Sequence, residues 1–318
     1  MLLNLNPESW KYSNINAALK KLDVSETPCA WEMSGAYEFL HGDNTIIIPK
    51  NKSVARPIDL RLVAKNAEQL TSRLIITVEE GAEVTFIERQ SGEGEYWKNI
   101  DMVINVAQNA KLNHYRFCEE DPFCVVTERT NVTLGRDARY NTVVISGCAG
   151  FGRSDFHVKL TGQGAECDLS GLTLLAGKQH SDTTLLIDHI APHCKSSQFF
   201  KTVLNDSSRG VFQGKIHVHK DAQKTDGYQL SNNLLLSNLA EMDVKPELEI
   251  YADDVKCSHG STTGQLDETP LFYLMSRGIS KEDARRLLLE AFMGEVLEKI
   301  KHDDVRTMFD ERVRLWLK

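Results

Sequence analysis

Short runs in which apolar and polar residues alternate fill the middle of this sequence, among them "LRLVAKN", "RLIITVEE", "DMVINVAQ", "TNVTLG", "FHVKLTG", "TLLIDHIA" and "KIHVHKDA". A two-residue alternation marks a strand whose two faces meet different surroundings, and the Gly, Asn and Asp residues between the runs are turn formers. The runs also recur at a fixed distance. "EEGAEVTFIER", "AQNAKLNHYRF", "GRDARYNTVVI" and "GQGAECDLSGL" each carry a turn-forming approach, an alanine and a strand-like stretch; Ala82, Ala110, Ala138 and Ala165 are spaced by 28, 28 and 27 positions. Continuing the count reaches Cys194 in "APHCKSSQFF" and Ala222 in "HKDAQKTDGYQ".

Units of this length, rich in strand and without a helix able to cover a sheet face, predict a solenoid. The expected fold is mainly β, a right-handed parallel β-helix in which each coil buries its inward side chains on its neighbours, the hand following from the crossover rule. A β-sandwich built from the same strands would not need the period. The expected core spans 46–264. Residues 1–45 form an N-terminal segment, with a short helix at "NINAALKKL" and irregular structure elsewhere.

A solenoid exposes apolar core and unpaired backbone at its ends, and the pattern changes where an end must be closed. Residues 265–318 read as a helical subdomain. Asp267 is the expected N-cap of a first helix, with Pro270 in its first turn and Gly278 beyond its end. Ser280 caps a second helix, with Asp283 at the capping-box position, and Leu288, Phe292, Val296 and Ile300 form its predicted apolar stripe. A third helix aligns Val305, Phe309, Val313 and Trp316. Three short helices bury one another poorly, so Trp316 in particular is expected to face a partner.

The composition narrows the function. A net charge of −8 disfavours nucleic-acid binding, which calls for a basic stripe. No apolar run is long enough for a membrane span, and the opening "MLLNLNPESWKYSN" has no secretion pattern, so a cytoplasmic protein is expected. The seven cysteines, at 29, 118, 124, 148, 167, 194 and 257, are scattered without a CxxC pair, which suits buried thiols better than a disulfide framework. Neither GxSxG, a P-loop nor GxGxxG is present, so no nucleotide site is expected.

Three groups of potential ligands remain. His217 and His219 share one face of a strand, a spacing that can chelate a metal. His189, His193 and Cys194 bracket a predicted turn. Cys257 and His259, in "YADDVKCSHGSTTGQ", follow the last predicted strand, "ELEIYADDVK", at the open end of the solenoid. Thiolate and imidazole suit iron, copper or zinc, yet two ligands fall short of the about four of an iron–sulfur cluster, so a second chain would have to complete the set. A pectinase-like β-helix enzyme needs clustered carboxylates; here they are dispersed, and Asp253 and Asp254 would point to opposite faces of a regular strand. A self-assembling structural solenoid is the other alternative.

The stretch from "VLNDSSRGVFQGKIHVHKDAQ" through "KPELEIYADDVKCSHG" and "LFYLMSRGIS" to "ARRLLLEAFMGEVLEKI" resembles the SufB/SufD family of the SUF iron–sulfur cluster assembly system, on its SufD side. "HIAPHCKSSQ" and the repeats extend the likeness upstream. The resemblance implies a parallel β-helix followed by helices and a non-enzymatic scaffold subunit. It implies pairing with a SufB-like paralogue, or with a second copy in isolation, and binding of a SufC-like ABC ATPase by the last helices. It also implies that His259, with Cys257 beside it, meets transient iron or a nascent cluster at the shared interface. Family members commonly begin with a longer helical region than the one found here.

Overall fold

The computed structural model describes residues 10–27, 31–35, 37–42, 44–147 and 149–317. Its body is a flattened parallel β-solenoid in which each coil gives one strand to each of two facing sheets. The first sheet stacks Ser25–Thr27, Glu68–Val78, Trp97–Val106, Val125–Leu134, Phe151–Leu160, His180–His189, Arg209–Val218 and Glu241–Ile250, with Thr45–Ile48 also beside Glu68–Val78. The second runs from Glu32–Ser34 through Ile58–Ala64, Glu83–Gly92, Lys111–Glu119, Arg139–Ser146, Glu166–Leu175, Lys195–Leu204 and Asp226–Leu235 to Lys256–Gly264. Every pairing within these sheets is parallel except that of Glu32–Ser34 with Ile58–Ala64, which closes the N-terminal end.

The repeat seen in the sequence is a corner of the coil. Ala82, Ala110, Ala138, Ala165, Cys194 and Ala222 are all completely buried. Just before five of them the chain takes a positive φ, at Gly81, Asn109, Asp137, Gly164 and His193, a conformation open mainly to Gly and to short polar residues. The N–H groups of these five residues donate to carbonyls one coil ahead, at Gln108, Arg136, Gln163, Pro192 and Gln223, over 2.9–3.2 Å. A small anchor leaves room for this backbone-to-backbone stacking.

Inside, branched side chains continue from coil to coil: Ile76, Ile104, Val132, Val158, Ile187 and Ile216 stand in register and are buried. Each such burial contributes roughly 1.5–3 kcal/mol. The expectation of apolar inward positions fails elsewhere in the cross-section. There Glu88, Gln90, Lys98, His114, Arg116, Glu120 and Glu128 are buried together. His114 Nε2 lies 2.7 Å from Glu88 Oε2, Arg116 Nη1 lies 3.1 Å from Glu128 Oε2, and Lys98 Nζ lies 2.8 Å from Glu120 Oε1. Alternation alone does not tell inward from outward for these residues. Each charge resides inside because it has an opposite charge or a hydrogen bond from an adjacent coil.

Four α-helices are present among the described residues: α1 Ile15–Leu19, α2 Glu268–Ser276, α3 Lys281–Leu297 and α4 Asp303–Trp316. Helices α3 and α4 lie on the outer face of the second sheet, where Leu289, Met293, Val296, Leu297, Ile300, Val305, Phe309 and Val313 meet Ile87, Tyr115, Val143, Ile145, Leu172, Leu174 and Val203. The strands beneath are apolar on both faces, which explains runs such as "NTVVIS" that do not alternate. Two expectations are corrected here. The buried stripe of α3 is rotated toward Leu289 and Met293, leaving Leu288 and Phe292 half-buried, because the sheet rather than a neighbouring helix sets the contact face. Trp316, expected to lack cover within the chain, is half-buried against this same cluster.

The apolar helix left uncovered is α2: it has no buried residue, and Phe272, Tyr273 and Met275 are exposed. The caps are as expected. The Asp267 carboxylate accepts the N–H of Thr269 at 2.8 Å, and Ser280 Oγ accepts the N–H of Asp283 at 3.1 Å. Ser280→Ala is therefore expected to lower stability by about 1 kcal/mol, read as a small drop in thermal midpoint with the helix content of the folded state retained.

Cys118, Cys124, Cys167 and Cys194 are buried and free, and Cys257 is half-buried; Cys29 and Cys148 lie outside the described residues.

Candidate metal and assembly site

The last predicted strand ends earlier than "ELEIYADDVK" suggests, at Ile250. Asp253 and Asp254 sit in a turn, and "KCSHGSTTG" is itself a strand, Lys256–Gly264, paired in parallel with Asp226–Leu235. Its small, polar residues hide its character because, among the described residues, no further coil covers it.

The hydrogen-bond phase of this strand decides what its edge offers. Lys256 N–H donates to Thr225 C=O at 2.8 Å. Successive residues of a strand point their N–H and C=O groups to opposite sides, so Ser258, Gly260 and Thr262 also face the preceding coil. Cys257, His259, Ser261 and Thr263 therefore turn their backbone donors and acceptors to the open edge. The last strand of the first sheet differs. There Glu241 and Tyr251 donate inward, to Ser208 and Val218 at 3.0 and 2.9 Å, so the even-numbered residues face outward, Pro246 among them. Proline has no donor, and it blunts that edge. The edge equipped for pairing is the one that carries Cys257 and His259.

Two residues apart on a strand, Cys257 and His259 share a face, with Cα atoms roughly 6.5 Å apart. Cys257 packs over Gly227, where a Cβ would lie 3.4 Å from its Sγ, and burial pushes its thiol above the ordinary value. His259 is exposed and in register with Gln229, which continues to Gln198 in the coil below. Both glutamines are buried, and Gln229 Oε1 and the Gln198 amide have no hydrogen-bond partner among the described residues. A polar column thus leads to the imidazole at the end of the stack. One sulfur and one imidazole on one side of an open edge form half of a ligand set that an opposing chain can complete.

The other histidines separate clearly. His189 is buried, with Nε2 2.8 Å from Ser196 Oγ, and burial lowers its pKa to about 4. His193 is exposed at a positive-φ turn, and the Cys194 thiol donates to Gly162 C=O at 3.3 Å; these three do not form a common site. His217 and His219 do meet, on the outside of the first sheet, and they meet around Asp188. The sequence reading missed Asp188 and His157, although an acid inside the apolar run "LLIDHIA" was a visible signal.

The family model for the SUF system FeS cluster assembly, SufBD core domain, matches residues 61–292, which covers the solenoid from its early coils through α2 and most of α3. The chain belongs to the SufB/SufD family. It is 33% identical over 276 residues to the iron–sulfur cluster assembly protein SufD of Escherichia coli, across 84% of this chain and 65% of that protein. It is 35% identical over 276 residues to a SufBD family iron–sulfur cluster assembly protein of Synechocystis, across 81% of this chain and 60% of that protein. The chain thus spans less than two thirds of the length of these two relatives. The motif "KCSHG" lies inside the core matched by this family model.

Proposed function

We propose that this chain is a non-enzymatic, cytoplasmic scaffold subunit that pairs with a SufB-like paralogue through the edge of Lys256–Gly264 and binds a SufC-like ABC ATPase through its C-terminal helices. Iron or a nascent cluster is then the cargo, held transiently between His259, with Cys257 beside it, and ligands of the paralogue. The observation that carries this reading is the open edge on which both side chains share one face. The uncovered α2 supports the second contact: Phe272 is 73% and Tyr273 56% exposed, and Leu287 of α3 is exposed as well. A surface of this kind is what a partner normally covers.

The test is co-expression with the SufB-like and SufC-like proteins, followed by measurement of complex mass and of iron and acid-labile sulfide. His259→Ala is expected to leave the complex and the fold intact while lowering cluster content at least tenfold, and Cys257→Ser to have the smaller effect. Full cluster content in the His259→Ala complex would remove this histidine from the assembly site.

A further inference from the structure

On the outer face of the first sheet, three successive coils bring His157, Asp188 and His217 side by side, and His219 follows directly after the last strand. Asp188 is the centre. His157 Nε2 lies 2.6 Å from its Oδ2, and His217 Nδ1 lies 2.8 Å from its Oδ1. His219 Nε2 stands 3.7 Å from the same Oδ1, too far for a hydrogen bond. That spacing matches two ligands of one tetrahedral ion: metal–ligand bonds of about 2.0–2.1 Å place neighbouring ligand atoms roughly 3.4 Å apart. The rings of His217 and His219 lie 4.2 Å apart, and Tyr251 sets its ring edge-on to His217 at 5.8 Å.

We propose that Asp188, His217 and His219 bind a divalent transition-metal ion of the zinc(II) or iron(II) class, with His157 orienting the carboxylate from its other oxygen. Two imidazoles and one carboxylate are the donor set such ions prefer, and they leave a coordination position open to solvent or a further ligand. His157 provides the outer-shell hydrogen bond that ligating carboxylates usually receive. The surrounding charges permit a cation. Lys215 is engaged by Glu249, Glu247 is in register with Lys215, and Lys159, in register with Asp188, is exposed. Both oxygens of Asp188 are held in place, Oδ2 by His157 and Oδ1 by His217. For His217 to ligate through Nδ1, its ring takes the tautomer that carries the proton on Nε2. The site is on the sheet opposite to that of Cys257 and His259 and is independent of their role.

The test starts from the whole chain carrying Cys257→Ser and His259→Ala, freed of metal and titrated with cobalt(II) as a spectroscopic probe and with zinc(II) by calorimetry. One ion per chain is expected, with cobalt d–d bands and no sulfur-to-metal charge transfer. His219→Ala, at a half-exposed position outside the strand, is expected to weaken binding at least tenfold, as is Asp188→Asn; circular dichroism checks that each variant folds. Absence of binding in the starting protein, or unchanged affinity in its His219→Ala derivative, overturns the proposal and leaves the cluster as a proton-held ionic group. Neither outcome bears on cluster assembly at His259.

Discussion

Arg116→Leu is expected to destabilise the solenoid by about 3–5 kcal/mol, the range found when one partner of a buried ion pair is removed. Arg116 is essentially without solvent contact, 3.1 Å from Glu128 and 5.0 Å from the ring of Phe156. Its guanidinium also acts on Glu88, and burial and these two carboxylates are the main influences on its ionisation, with the net result that its proton is held more firmly than usual. Leucine fills part of the volume but leaves the Glu88 and Glu128 carboxylates with less compensation in a dry interior. Urea denaturation should show a lower midpoint at nearly constant slope. Adding Glu128→Leu to Arg116→Leu should recover part of the loss, because replacing both members of a buried pair by apolar groups is often far less costly than orphaning one. A double variant no more stable than the single one would contradict this account.

The same network predicts how stability responds to acid. Burial raises the Glu88 pKa, but the hydrogen bond from His114 and the Arg116 charge prevail, and the folded-state value is lowered. A carboxyl with a lowered folded pKa contributes stability that is present above its unfolded value, about 4.3, and is lost as pH falls through the folded value. In the Arg116→Leu protein burial is less opposed and the folded value moves toward the unfolded one, so the acid-side loss that Glu88 causes should be smaller and should be complete at a higher pH.

Much of the fold was legible because its defining constraint is local and repeated. The corner needs a positive φ and then a small residue, and that requirement surfaces as Gly81–Ala82, Asn109–Ala110, Asp137–Ala138 and Gly164–Ala165. The helix caps Asp267 and Ser280 were legible for the same reason. What escaped depends on the facing coil. Glu88 and Arg116 look like surface residues until the stack sets them in register one coil apart and brings Glu128 of the facing sheet to the guanidinium. The strand Lys256–Gly264 lacks an apolar face because, among the described residues, no further coil covers it, so the pattern that reveals interior strands is missing where the candidate ligands lie. The candidate ligands could be named from their chemistry; that both share a face at an open edge required the register with Asp226–Leu235.

That register yields the sharpest test of the edge. Ser261→Pro removes an N–H that faces outward and leaves the inward-facing bonds of Ser258, Gly260 and Thr262 in place. Pro246 shows that an outward-facing proline is compatible with a terminal strand of this solenoid. The variant should therefore fold with little change in thermal midpoint. If a paralogue adds its own strand here, the missing donor and the bulk of the ring obstruct the junction at its centre. The expected weakening of the heterodimer is roughly a hundredfold, or about 3 kcal/mol, measured by sedimentation of a dilution series. Thr262→Pro should reverse the pattern, since its N–H belongs to the internal ladder and its loss strikes the fold first. Equal affinity of the wild-type and Ser261→Pro chains for the paralogue would place the contact elsewhere, and His259 would lose the opposing ligands on which its assigned role depends.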